Sequence, residues 1–365
     1  MESKKCLLLI IILTFLGCST DNTDSITNIQ PFETGSLDTF LDSEKIADLL
    51  LEINNGTFGE VNSLLIMRND TLCLEKYFNG FSVGELHRCY SVTKSFTSAL
   101  IGIAIDKGFI NSVNQKLLDF FPRYLSLENY SSLKERITID HVLKMSAGFE
   151  WDEWTYNYND SRNDVLKLAN SQDWIKYMLD LPMQDTPGTK FLYNTGCTIL
   201  LSGIIYQTTG MRTSAFAEQY LFEPLGITNY QWEEGPNNIT NTGWGLRLTS
   251  RDILKLGKLF LNKGVWEGQQ VISEDWRNNS TQTKISITEK NKYAYQWWTF
   301  GETNSYVQQL ETNDIFYADG WGDQYIFVIP HLKLVVATHA ENYTNGMSSA
   351  PMLRDYIIPA AISVD

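Results

Sequence analysis

Cys89-Tyr90-Ser91-Val92-Thr93-Lys94-Ser95-Phe96-Thr97-Ser98-Ala99-Leu100-Ile101-Gly102-Ile103-Ala104-Ile105 begins polar and becomes apolar without a break. The apolar part predicts a helix buried in a core, with Ser91 at its start. Lys94 follows three residues later, about one helical turn, so both side chains share a face near the N-terminus. A hydroxyl and an amine placed this way suit a nucleophile and the group that takes its proton. Four residues alone are a weak signal. A second Ser-x-x-Lys, Ser131-Ser132-Leu133-Lys134, lies in a polar stretch with no apolar helix behind it, and serine is a common helix N-cap. The weight of Ser91 depends on its surroundings.

Upstream, Asp42–Ile53 has helical spacing with acidic residues in its first turn, and Asn54-Asn55-Gly56 stops it. Ser63–Met67 and Thr71–Phe78 read as strands, joined by a link short enough for a hairpin. Downstream, a region from about 110 to 300 carries mostly helical signals broken by turns. It includes a short helix within Ile137–Gly148, a helix over Thr198–Thr209 closed by Gly210, and another capped by Leu248-Thr249-Ser250-Arg251-Asp252. Strands return at Asp314–Ala318, Gln324–Ile329 and Lys333–His339, and a last helix covers about 348–362 with Pro351 in its first turn. Strands at both ends and helices between predict an α/β fold of the α+β type. Its antiparallel sheet is built from the N- and C-terminal segments, flanked by helices, with a mostly helical insertion.

The chain has 365 residues, 43% of them hydrophobic, enough for a large core. Its formal net charge of −14 and its lack of any basic stretch exclude nucleic acid as a partner. The histidines, His87, His141, His331 and His339, are widely spaced, and neither Cys-x-x-Cys nor His-Glu-x-x-His occurs. No metal site and no cofactor are expected. At the N-terminus, Lys4 and Lys5 precede an apolar run from Cys6 to Leu16, then Gly17-Cys18. This has the layout of a secretory signal over residues 1–17. Cys directly after Gly resembles the lipobox of bacterial lipoproteins, which makes Cys18 the lipidated residue and residues 18–40 a tether to a domain spanning 41–365. The expected product is an exported lipoprotein anchored to a membrane through that lipid, on the periplasmic or the surface side. Cys73, Cys89 and Cys197 have apolar neighbours and read as small buried side chains, with a Cys73–Cys89 bridge left open.

Further motifs share the order of these pieces. Pro187-Gly188 precedes Phe191-Leu192-Tyr193-Asn194-Thr195-Gly196, and Tyr317-Ala318-Asp319-Gly320-Trp321-Gly322-Asp323-Gln324 lies on a terminal strand. With Ser91-Val92-Thr93-Lys94 ahead of them, the chain over about 45–360 resembles the serine β-lactamase and penicillin-binding-protein-like hydrolases. The resemblance is to the class C-like branch with its esterase and 6-aminohexanoate-dimer hydrolase relatives. It implies acyl transfer: Ser91 attacks a carbonyl, Lys94 eases loss of its proton, and Tyr193 serves as base or relay and then as acid. It also implies an oxyanion hole from the Ser91 N–H and the Trp321 N–H, or the Asp323 N–H if Gly322 rather than Gly320 is the motif glycine. Gly320, Trp321 and Thr195 are the implied oxyanion or substrate-contacting positions.

Two departures narrow the expectation. Tyr193-Asn194-Thr195 stands where class C β-lactamases have Tyr-x-Asn, and Asp319-Gly320 or Trp321-Gly322 stands where they have Lys-Thr-Gly. The missing lysine argues against efficient β-lactam hydrolysis. The expected function is a serine hydrolase for a small ester or amide. A cell-wall-directed peptidase or weak β-lactamase is the second reading, and a catalytically silent binding protein on the same fold is the third. Trp151–Asn163, dense in Trp, Tyr and Asp, reads as a cleft-edge loop.

Overall fold

Val61–Arg68 and Thr71–Tyr77 pair antiparallel across Asn69-Asp70, two residues with positive φ of the kind a tight hairpin turn needs. All eight residues of Val61–Arg68 are buried, because helices cover both faces of the sheet there. The computed structural model describes residues 32–124, 126–343 and 348–364. Its main sheet has eight strands in the order Thr71–Tyr77, Val61–Arg68, Leu334–Ala340, Gln324–Ile329, Phe316–Gly320, Trp298–Phe300, Asn291–Tyr293, Ile285–Ser286. Every pair is antiparallel. The N-terminal hairpin thus docks on the last strand of the chain, with Leu65 opposite Ala337, and the sheet is built from both termini.

Alternate residues of these strands face two cores. Leu65, Met67, Ile326, Val328, Val335 and Ala337 pack with the helices Val92–Asp106, Thr195–Thr209 and Ser250–Leu261. Leu64, Ile66, Phe327 and Val336 pack with the helix Ser43–Asn54 and the C-terminal helical segment. Arg251 makes a two-pronged ion pair to Glu75, both contacts at 2.8 Å, which ties the Ser250–Leu261 helix to the edge strand.

Several expectations need correction. The mostly helical 110–300 region also carries short strands. Its last part supplies three strands of the main sheet, and Tyr230–Trp232, Leu246–Leu248 and His87–Arg88 form a second, three-stranded sheet. These strands are two or three residues long, too short for an alternating pattern to show. Residues 32–40 are not a free tether: Thr34 bridges Leu72, Leu72 N donates to Glu33 O at 2.8 Å, and Leu37–Phe40 forms a helical turn against the core. The last helix is irregular, with a wider turn over Leu353–Ile357 before Ile358–Ile362. Cys73, Cys89 and Cys197 are buried free thiols. The signal segment, Cys18 and the tether up to residue 31 lie outside the described residues. Among the described residues no helix is long and apolar enough to cross a membrane.

Candidate active site

Ser91 sits at the N-terminus of the Val92–Asp106 helix, yet its side chain makes no capping hydrogen bond. Its Oγ instead accepts from Lys94 Nζ at 2.9 Å. The helix behind it is buried from Val92 to Ala104, so the pair is held by a rigid, apolar element. Lys94 is 1% exposed. Its Nζ also donates to Gly243 O at 2.8 Å, from the loop ahead of the Leu246–Leu248 strand. Burial holds this amine down to about 8, against the pull of Glu153 and Asp319, which favour the charged form. In the second Ser-x-x-Lys the lysine is also buried, but it does not meet its serine: Lys134 donates to the carbonyls of Leu179 and Glu128, and Ser131 Oγ accepts from Leu133 N.

Tyr193 comes from the turn before the Thr195–Thr209 helix, which Asn194 caps by accepting from Cys197 N at 3.0 Å. The Tyr193 ring is sandwiched between Trp154 and Trp298, with centroids 5.4 and 5.6 Å away and near-parallel planes. Lys94 Nζ lies 5.0 Å from its centroid, and Ser91 is close enough to act on the hydroxyl. Burial, then Tyr293 and Glu153, hold the phenol well above 10, and Ser91 only partly opposes them. At neutral pH the group is a neutral phenol.

Thr195 lines the same cavity, but its donors are committed. Its N–H gives to Glu153 Oε2 at 2.7 Å and its hydroxyl to Glu153 Oε1 at 2.9 Å. Glu153 also accepts from Trp151 Nε1 at 2.6 Å and from the Tyr158 hydroxyl at 3.4 Å. It is 3% exposed. Burial raises its carboxyl, opposed first by Lys94 and then by the Thr195 N–H. Glu153 thus joins the Trp151–Asn163 loop to the Tyr193–Thr195 turn and faces Lys94 with an acid. It is the site residue that sequence reasoning missed. Its position inside an aromatic loop was visible, whereas its burial was not.

The Phe316–Gly320 strand closes the other side. A methyl at Gly320 would stand 2.5 Å from the Cys89 carbonyl, so only glycine lets this strand lie against the backbone just before Ser91. Trp321 projects into a cavity of about 320 Å³ that it shares with Ser91, Tyr90, Tyr158, Thr195 and Trp244. Asp323, by contrast, is turned away: its Oδ2 accepts from Asn342 Nδ2 at 2.8 Å and from Ser349 N at 2.7 Å. Gln324 pins the intervening turn, with its Nε2 reaching the carbonyls of Trp321, Gly322 and Ala340. Asp319 is pushed up to about 7 by burial and then by Asp323, while Lys94 acts the other way. Ser91, Thr195 and Trp321 therefore line one cavity, with Lys94, Tyr193 and Gly320 packed close to Ser91, although Ser91 and Trp321 lie more than two hundred residues apart in the chain.

The serine at the head of a buried helix, the lysine beside it and the tyrosine across from it lie within the stretch of the chain that known proteins match. Residues 62–360 match the Beta-lactamase family model. The 6-aminohexanoate-dimer hydrolase of Paenarthrobacter ureafaciens is 24% identical over 274 residues, 68% of this chain and 67% of that protein. Among solved structures, one from Bacillus anthracis, provisionally assigned as a 6-aminohexanoate-dimer hydrolase, superposes with a TM-score of 0.73 at 22% identity, covering 92% of this chain and 88% of its own. A family VIII carboxylesterase superposes with a TM-score of 0.68 at 15% identity, covering 92% and 99%. At these identities the two structures speak for the fold, and the match over 62–360 carries the assignment: the chain belongs to the beta-lactamase family of serine hydrolases.

Proposed function

We propose that this protein hydrolyses a small ester or amide through an acyl-Ser91 intermediate. The observation that carries the reading is the 2.9 Å contact from Lys94 Nζ to a Ser91 Oγ that caps nothing. With its amine held near 8, Lys94 is neutral in a useful fraction of molecules at mildly alkaline pH and takes the serine proton as Oγ attacks. Tyr193 stays protonated, which fits a relay that passes the proton to the leaving group better than a primary base. The developing oxyanion is received by the Ser91 N–H and the N–H of Trp321. Trp321 lines the cavity with Ser91 and Asp323 does not, which favours Trp321 as the second donor. Water then repeats the sequence on the acyl-enzyme and releases the acid.

Ala318-Asp319-Gly320 stands where β-lactam-directed relatives carry Lys-Thr-Gly, and the missing lysine, with an acid beside its position, supports an ester or amide over a β-lactam as substrate. Cys18 and its leader support export and lipid anchoring, a reading tested by the mass of the mature N-terminus. The catalytic reading is tested with p-nitrophenyl esters of short acids. Turnover by the wild type that falls by at least about 10³-fold in Ser91→Ala supports it. Turnover undiminished in Ser91→Ala sinks the nucleophile assignment.

A further inference from the structure

The second, three-stranded sheet carries an unusual row of side chains. Arg88 pairs directly with Arg247, and Arg247 pairs directly with Gln231 on its other side. Side chains opposite each other in an antiparallel pair lie on one face within about 5 Å at Cβ, and like charges placed there repel. Neither guanidinium is in an ion pair or hydrogen bond among the described residues. Glu233 lines one hollow beside them and Glu341 another, yet neither closes on a guanidinium. In a chain of net charge −14 an acidic partner would have been easy to supply. Arg88 and Gln231 are exposed and Arg247 is half-buried, so the row is open to a ligand.

The row is also next to the reaction centre. Arg88 and Trp244 line the cavity that holds Ser91, and both also line an adjoining cavity of about 410 Å³ with Arg247, Gln231 and Trp232. Arg88 is three residues before Ser91, so their backbones are at most about 11 Å apart. A guanidinium presents planar, paired donors that match a carboxylate, and two side by side with an amide beyond make a wider cradle of the same sign.

We propose that Arg88, Arg247 and Gln231 form an acidic-group subsite that makes this hydrolase selective for esters or amides bearing a carboxylate a few bonds from the scissile carbonyl. The inference rests on the acyl-Ser91 reading, because it places the carboxylate relative to that serine. It deepens that reading by giving the substrate a charge. Arg88 and Arg247 are binding residues in it and touch no reacting atom.

The test uses matched probes: p-nitrophenyl hydrogen glutarate against p-nitrophenyl valerate, and 4-acetoxybenzoate against phenyl acetate. The first pair places the charge on the acyl side and the second on the leaving group. The wild type prefers the charged member of one pair by about tenfold or more in kcat/KM, chiefly through KM, and the preference shrinks as salt is raised. In R88Q/R247Q that ratio falls to near one, in R88K/R247K it is partly kept, and Arg354→Gln, remote on the last helical segment, leaves it unchanged. Glutarate alone is titrated against tryptophan fluorescence, since Trp232 and Trp244 line the hollow. Saturable quenching lost in R88Q/R247Q supports the subsite even without turnover. Equal or reversed preference in both pairs, or a preference that survives R88Q/R247Q, overturns the proposal. So does the absence of saturable glutarate binding. If the neutral esters are turned over through Ser91 while these results fail, the subsite falls and the hydrolase reading stands. If glutarate binds but no ester is turned over, the hydrolase reading falls instead.

Discussion

Replacing Asp319 by Asn should make the protein more stable in alkaline than in acidic solution, relative to the wild type, and should shift its activity profile. Burial displaces the Asp319 carboxyl from its ordinary 3.8 to about 7. The folded chain therefore binds this proton more tightly than the unfolded chain, and stability is lost as pH rises through that window. Three pH units at about 1.4 kcal/mol each give roughly 4 kcal/mol as an upper limit, fully expressed by about pH 8. At about pH 5 only about a third of it has accumulated. Asn keeps the shape without the charge, so its advantage over the wild type should grow by up to roughly 3 kcal/mol between those two pH values. Urea unfolding of both proteins at each pH measures this directly. Asp319 also favours protonated Lys94. Its removal should move the rise of kcat/KM with pH, centred near 8 in the wild type, to lower pH. A stability gain that does not change with pH, or a rise that moves to higher pH, refutes the assignment of Asp319 as a half-buried acid acting on Lys94.

Three further substitutions probe the rest of the site. Glu153→Gln sets an amide N–H against the Thr195 and Trp151 donors, so about 1–3 kcal/mol of stability should be lost in thermal or urea unfolding. It also withdraws an acid from Lys94 and should again lower the pH at which activity rises. Gly320→Ala drives a methyl into the Cys89 carbonyl. It should cost about 1–3 kcal/mol and reduce kcat further than the stability loss explains, because the strand must move from beside Ser91. Tyr193→Phe removes the relay hydroxyl but keeps the ring between Trp154 and Trp298. Ester kcat should fall by about 10²- to 10⁴-fold with little change in melting temperature.

What could be read from the sequence was what lies close along the chain. Ser91 and Lys94 are three residues apart, and the apolar run behind them announces its own burial. The strands at 61–68, 324–329 and 334–340 are long enough to show their character, and so is the hairpin turn at Asn69-Asp70. Tyr193 and Gly320 came from resemblance in motif order, since nothing in their local chemistry sets a tyrosine or a glycine apart. Glu153 could not be found, because its role depends on burial and on donors forty-two residues away. The strands within 285–300 were lost to their shortness. The Arg88–Arg247 register is a pairing between distant segments, invisible until the second sheet is seen.

The claim that organises the account is that Ser91 is the nucleophile. Treating the protein with a fluorophosphonate and mapping the adduct by peptide mass tests it most directly. The account predicts one adduct, on Ser91, absent from Ser91→Ala and slowed in Lys94→Ala. An adduct on Ser131 or any other residue, or none in a folded protein that still turns over esters, would contradict it.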